Sequence, residues 1–269
     1  MINNTPAQEH DAIEKEHIMK IGITERGDAG INLAWTEKMN TVDGAVLITK
    51  NITETFKTAV LSCEKPVIVH CTCTGHGGTI LEQNVPDYIT QLNNLKDLIN
   101  RGFPANRCVL RIDPIFPSEE GIEKVHNVLS YFEFLNTGVE RIRISVVDEY
   151  RHVKERYRAK GISPLYGDSF QANDNQLSLV IENLAMYPRT YELCAENRLW
   201  NQSLTRYPNL FQVTGCISQK DLELMGIPYV EMDINPQQRN GCHCLSCKTE
   251  LLTERKPCPN QCLYCFWRG

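Results

Sequence analysis

Apolar positions along this chain gather into short runs separated by stretches with helical spacing. Ile21-Gly-Ile-Thr24, Ala45-Val-Leu-Ile-Thr49, residues 66–72 (PVIVHCT), 108–113 (CVLRID), 141–148 (RIRISVVD) and 189–194 (RTYELC) are rich in Val, Ile or Tyr, the composition of strands. Phe211-Gln-Val213 and Tyr229-Val-Glu-Met232 are shorter candidates. Between them, Ile89, Leu92, Leu95 and Ile99 recur at helical spacing behind Pro86 and Asp87, with Gly102 placed to end the helix. Ser118 can cap a helix that presents Ile122, Val125, Leu129 and Phe132, and Gly138 lies just past its end. A further helix starts at Asn173 or Asp174 and carries Leu177, Val180, Ile181 and Leu184; Ser218 to Met225, closed by Gly226, is another. The basic run 151–160 (RHVKERYRAK) reads as a solvated helix face, with a phosphate-facing patch as the sharper alternative.

Strands alternating with helices imply βαβ units and a parallel sheet. The expected fold is therefore α/β, a parallel (β/α) barrel of TIM-like type, partial or complete, over residues 20–234. A polar tail (1–19) precedes it, and a Cys-rich cluster-binding extension (235–269) packs on its rim. Chemistry in such barrels sits at the C-terminal ends of the strands. Those ends carry Glu25-Arg-Gly-Asp28, Thr74-Gly-His-Gly-Gly78, Asp113-Pro114, Asp148-Glu149 and Cys194-Ala-Glu196. His76 reads as a solvated loop residue.

The chain has 269 residues, of which 42% are hydrophobic, enough for one large core. The net charge of −5 argues against gripping duplex nucleic acid through its phosphates, so a nucleic-acid partner would need a local basic patch. The first residues are polar and acidic, and the longest apolar runs are far too short to span a bilayer. The expectation is a cytoplasmic protein with no membrane partner, where thiols stay reduced and clustered Cys point to metal or catalysis.

Six of the twelve Cys lie between Gly241 and Gly269. Residues 258–267 read CPNQCLYCFW, a C-x3-C-x2-C loop. Thiolates of Cys258, Cys262 and Cys265 can hold three irons of a 4Fe–4S cluster and leave the fourth open. Upstream, Cys242, Cys244 and Cys247 form C-x-C-x2-C, while Cys194 and Cys216 follow candidate strands. Four of these five suffice for a second, fully ligated cluster. Cys194, Cys216, Cys242 and Cys244 are the preferred set, with Cys247 as substitute. Two alternatives compete. Cys244-x2-Cys247 and Cys262-x2-Cys265, fourteen residues apart, have nearly the spacing of a zinc ribbon, on which the protein would serve binding or structure. An iron–sulfur electron-transfer protein would need no further cofactor. Cys63, Cys71 and Cys108 read as buried apolar fillers.

The terminal motif resembles that of the radical S-adenosylmethionine superfamily. The chain as a whole resembles a prokaryotic domain-of-unknown-function family with its cysteine cluster at the C-terminus. Thr72-Cys-Thr-Gly75 with Leu81-Glu82 and Pro86, Arg111-Ile-Asp-Pro114, residues 145–150, Leu193-Cys-Ala-Glu196, Gly215-Cys-Ile217 and Gln238-Arg239 before Cys242 carry that resemblance. It implies a partial or full β/α barrel, circularly permuted, because the motif normally precedes most of the barrel. It also implies S-adenosylmethionine chelated at the open iron of a cluster on Cys258, Cys262 and Cys265. The implied activity is reductive cleavage to a 5′-deoxyadenosyl radical that abstracts hydrogen from an unidentified substrate. A flavodoxin- or ferredoxin-like protein would supply the electron. Superfamily members often place a Gly-Gly stretch beside the cofactor's amino group, which makes Thr74, Gly75, Gly77 and Gly78 candidate cofactor contacts. Asp113 is a candidate for ribose hydroxyls or substrate, and Tyr264 for packing on adenine.

Overall fold

The structure, a computed structural model, describes residues 18–228, 242–254 and 257–268. Its centre is a parallel sheet of eight strands: β1 (Ile21–Ile23), β2 (Gly44–Thr49), β3 (Val67–Thr72), β4 (Cys108–Ile115), β5 (Arg141–Val146), β6 (Tyr191–Leu193), β7 (Phe211–Val213) and β8 (Lys248–Glu250). They lie in the order β7-β6-β5-β4-β3-β2-β1-β8. The first seven coincide with segments expected from β-rich composition. The candidate at Tyr229–Met232 lies outside the described residues. β8 was not expected: a short polar stretch, Lys-Thr-Glu, pairs in parallel with β1 from Ile21↔Lys248 to Ile23↔Glu250. Part of the segment expected to pack on the rim is thus a member of the sheet. Among the described residues β7 and β8 do not pair with each other, so the architecture is TIM-like in order and direction without a closing ladder.

Strand side chains alternate between two faces. Leu47, Val69, Leu110, Ile142 and Tyr191 belong to the larger core, together with apolar residues of α1 (Glu54–Leu61), α2 (Tyr88–Asn100), α3 (Glu119–Leu135), α4 (Arg151–Ala159), α5 (Asp174–Leu184) and α6 (Asn197–Ser203). The opposite face presents Ile21, Ile23, Val46, Ile48, Ile68 and Val109 to Leu222 and Met225 of α7 (Gln219–Met225). Further along that face the residues are polar: His70, Arg111, Arg141, Arg143 and Glu192.

Helices start where the sequence placed them, with Ser118 the cap expected and Asp87, expected in a first turn, the cap of α2. Asp87 Oδ1 accepts from Thr90 N, Ser118 Oγ from Gly121 N, and Asn173 and Ser218 each form reciprocal capping boxes with Gln176 and Asp221. α2 turns a slightly different face inward than its apolar spacing predicts. Gln91, Leu92, Leu95 and Leu98 are buried while Ile89 is exposed. Gln91 explains the rotation, since its Oε1 accepts from Ile52 N at 3.1 Å. No helix among the described residues is long and apolar enough to cross a membrane.

Candidate metal centres

The terminal cysteine loop follows β8, and hydrogen bonds tie it to the turns that follow β1, β2 and β3. Asp28, fully buried after β1, accepts from Gly30 N (2.9 Å), Thr49 Oγ1 (2.6 Å), Lys50 N (2.7 Å) and Asn260 Nδ2 (2.6 Å). Asn260 sits between Cys258 and Cys262, so one carboxylate anchors the cysteine loop to two strand ends. Burial raises the pKa of Asp28 against those four donors.

Glu82 makes a second anchor. Its carboxylate accepts from Lys50 Nζ (2.7 Å), from Thr74 Oγ1 (2.7 Å) and from the hydroxyl of Tyr264, the residue before Cys265. Burial opposes ionisation of Glu82, but the Lys50 ammonium and the three hydrogen bonds outweigh it and hold the pKa below the ordinary 4.5. Burial likewise lowers the pKa of Lys50, and Glu82 overrides it, leaving the ammonium at about 12. Backbone contacts complete the seat. Asn84 Nδ2 donates to Pro259 O (2.8 Å) and Leu263 N to Leu81 O (2.8 Å). Arg156 of α4 donates to the carbonyls of Leu263 (3.0 Å), Cys265 and Arg268 (2.6 Å). Cys262 is buried, and burial pushes its thiol up to about 12; Cys258 and Cys265 are half-buried. A metal would have to displace the Cys262 proton, aided by Lys50.

The other residues singled out from sequence are placed as follows. A Cβ on Gly75 would meet the Lys124 backbone at 2.8 Å, and one on Gly77 would collide with the Pro86 carbonyl, so packing accounts for both glycines. Gly78 (φ +78) faces open space. Thr74 is buried on Glu82, and Tyr264 is buried edge-on to Phe116 at 5.4 Å. Asp113 pairs with Arg111 and accepts from Ser145 Oγ. His76 is not solvated: it is buried, 4.7 Å edge-on to Phe116, in a loop closed on itself by the Gly77–Glu82 bridge and the Thr74–Glu82 hydrogen bond. Glu149 is buried and accepts from Leu165 N and Tyr166 N.

A second group of thiols lies where the sheet's two edge strands end and begin. Cys194 follows β6, Cys216 lies three residues past β7, and Cys242 and Cys244 precede β8. Cys194 and Cys216 Sγ are 3.3 Å apart, Cys242 and Cys244 Sγ 3.1 Å, and Cys216 N donates to Cys244 Sγ at 3.1 Å. Cys194 also reaches both Cys242 and Cys244. The ligand atoms of Cys194, Cys216 and Cys244 lie mutually within 4.8 Å, so these three cysteines can chelate a metal ion. Among the described residues the terminal trio does not form so tight a set. Hydrogen bonds with Cys194, then with Cys244, outweigh burial and lower the Cys242 thiol, while the shared contacts raise the thiols of Cys194 and Cys244.

Cys247 is elsewhere. It packs with Ile21, Ile23 and Ile217, and its carbonyl accepts from Ile21 N. The four thiols with ribbon spacing are therefore divided. Cys244 joins Cys194 and Cys216, Cys247 lines the apolar face, and Cys262 lies beside Lys50 and Glu82. Cys71 and Cys108 are buried in the larger core as expected of fillers, and Cys63 is half-buried against it.

Residues 32–267 match the model of the family described as Domain of unknown function (DUF1848). The chain belongs to that family. The DUF1848 match takes in both cysteine groups and all but the first of the eight strands. No match was found among curated proteins or among solved structures.

Sequence reasoning did not single out Lys50, Asn260 or the polar interior as parts of a site. Arg143 is fully buried and bonds Glu192 Oε2 at 2.6 Å; Arg141 bonds Glu192 Oε1 at 2.6 Å and Asp221 at 2.8 Å. Between two β-rich neighbours, the alternation Arg-Ile-Arg-Ile-Ser in residues 141–145 was the available signal. It puts charge on one strand face, which only a polar interior accepts.

Proposed function

We propose that this chain is a thiolate metalloenzyme in which Cys258, Cys262 and Cys265 hold a 4Fe–4S cluster with one iron open to S-adenosylmethionine. The observation that carries the reading is the seating of the C-x3-C-x2-C loop. It comes after β8 and is fastened by Asp28 and Glu82 to the turns after β1, β2 and β3 and by Arg156 to α4. Three thiols spread more widely than the upstream group suit a polynuclear centre better than a single ion. β8 and its loop lie beside β1, the neighbourhood a circular permutation would produce. When bound, the cluster would pass one electron into the sulfonium carbon–sulfur bond and so generate a hydrogen-abstracting radical.

The protein's own residues orient and shield. Tyr264 and Cys262 are buried, which keeps water from that side of the loop. Lys50 places a positive charge beside Cys262 and favours its thiolate. Gly78, with open space before its α-carbon, Thr74 and Asp113 are the candidate cofactor contacts. Electrons would come from a flavodoxin- or ferredoxin-like donor.

A second reading rests on the upstream thiols. Their 3.1 and 3.3 Å separations favour a metal-bearing structural or electron-transfer protein with no S-adenosylmethionine chemistry. Anaerobic reconstitution decides between them. Iron and sulfide bound with a brown absorption, and 5′-deoxyadenosine formed on adding dithionite and S-adenosylmethionine, support the enzyme; Cys262→Ala should abolish that product. Iron without product supports electron transfer, and a chain that takes up zinc alone sinks the enzyme reading.

A further inference from the structure

We infer that Cys194, Cys216, Cys242 and Cys244 bind a single four-coordinate divalent ion of the zinc class, and that this ion closes the seam between β7 and β8, the two edges of the sheet among the described residues. The inference goes beyond the proposed activity and does not rest on it.

Geometry sets the nuclearity. Metal–sulfur bonds of about 2.3 Å in a tetrahedron put the sulfurs roughly 3.8 Å apart. Three of the four sulfurs already lie mutually within 4.8 Å, and the fourth, Cys242, is 3.1 Å from Cys244. A cubane cluster binds each thiolate to a different iron and so holds its ligands farther apart. The 3.1 Å amide bond from Cys216 N to Cys244 Sγ is the donation a thiolate ligand attracts. Four thiolates around a dication leave a charge of −2. Arg143, Arg111 and Lys248 each interact electrostatically with Cys216 and partly offset that charge, while also pairing with Glu192, Asp113 and Glu25. Arg143 also donates to the Cys216 carbonyl at 3.4 Å.

Topology sets the role. Cys194 and Cys216 belong to the β6–β7 edge of the sheet, Cys242 and Cys244 to the approach to β8 on the other edge. Among the described residues no ladder joins β7 to β8. The two sides nevertheless touch: Leu245 N donates to Ile217 O at 3.2 Å, and Gly215 lies so close to the backbone of His243 and Cys244 that a Cβ would meet Cys244 Cα at 2.6 Å. An ion bound by two thiols from each side does there what hydrogen bonds do between the other strands.

The test uses the full chain. Zinc and iron per chain are measured in the wild type, Cys194→Ser, Cys244→Ser and Cys262→Ala. The inference expects one zinc in the wild type and in Cys262→Ala, and none in the Cys194 and Cys244 variants. Because those variants can fail to fold, the metal-free wild-type chain is also titrated with Co2+. Saturation at one equivalent with intense tetrahedral tetrathiolate bands supports the inference; weak octahedral bands overturn it. Removing the ion should speed amide exchange in β8 and at Leu245 by at least about tenfold. Unchanged exchange overturns the seam role, and quartet variants that lose iron rather than zinc overturn the single-ion assignment. Either failure leaves the Cys262-dependent product untouched, so the two proposals fail separately.

Discussion

Glu82→Gln tests how the terminal cysteine loop is held. The substitution keeps the side chain's volume and its capacity to bond Thr74 and Tyr264, but removes the charge opposite Lys50. Glu82 is 1% exposed and Lys50 16%, at 2.7 Å. Deleting one partner of a buried ion pair costs about 3–5 kcal/mol, because the other charge stays behind uncompensated. Lys50 keeps a little solvent and a 3.5 Å contact with the Asp113 carbonyl, so the expectation falls at or just below the bottom of that range, about 2–3 kcal/mol. For a chain of this size that corresponds to a fall in Tm of roughly 5–10 °C. Lys50→Met in the same background should restore much of the loss, giving a coupling energy of at least about 1 kcal/mol. Denaturant unfolding of the wild type, both single variants and the double variant at pH 7, at equal metal content, measures all four corners. Strict additivity, or a single variant within about 0.5 kcal/mol of wild type, would refute the argument.

The same pair sets a pH window. The Glu82 carboxyl titrates below 4.5 in the folded chain, so its contribution is complete above that pH and is lost as pH falls through the lower folded value. Lys50 is raised from 10.5 to about 12, so its share is complete below 10.5 and is lost as pH climbs through about 12. The Tm difference between wild type and Glu82→Gln should be level across neutral pH and shrink in acid; a difference that widens in acid would contradict the assignment. Gly77→Ala and Gly78→Ala should separate as well. The first drives a Cβ into the Pro86 carbonyl and should cost about 3 kcal/mol or more. The second meets only its positive φ and should cost about 1 kcal/mol, so equal Tm values for the two would count against packing as the reason for Gly77.

Much of the fold was legible because the governing patterns are local. β2 to β5 are runs of β-branched residues, and Asp87, Ser118, Asn173 and Ser218 carry their caps in sequence. β8 was not legible: Lys-Thr-Glu has no apolar pattern and becomes a strand only because β1 offers it an edge. The site divides the same way. The thiol spacing of the terminal motif is written in consecutive residues. The meeting of Cys194 and Cys216 with Cys242 and Cys244, and the separation of Cys247 from them, depend on which strand ends lie side by side. Lys50 lies in no motif, and nothing in the motifs around Glu82 and Asn260 gives either an anchoring role; their importance comes from the desolvation that turns three ordinary polar residues into anchors.

Pairing β1 with β8 also has a temporal cost. A ribosome adding about 5–20 residues per second leaves the outer edge of β1 waiting for roughly 10–45 seconds before its neighbour exists. Throughout that interval Ile21 and Ile23 border a row of unpaired backbone groups, the template on which nascent chains mispair or recruit chaperones. Contacts so distant in sequence also slow the final collapse, so refolding yield from denaturant should fall steeply with protein concentration.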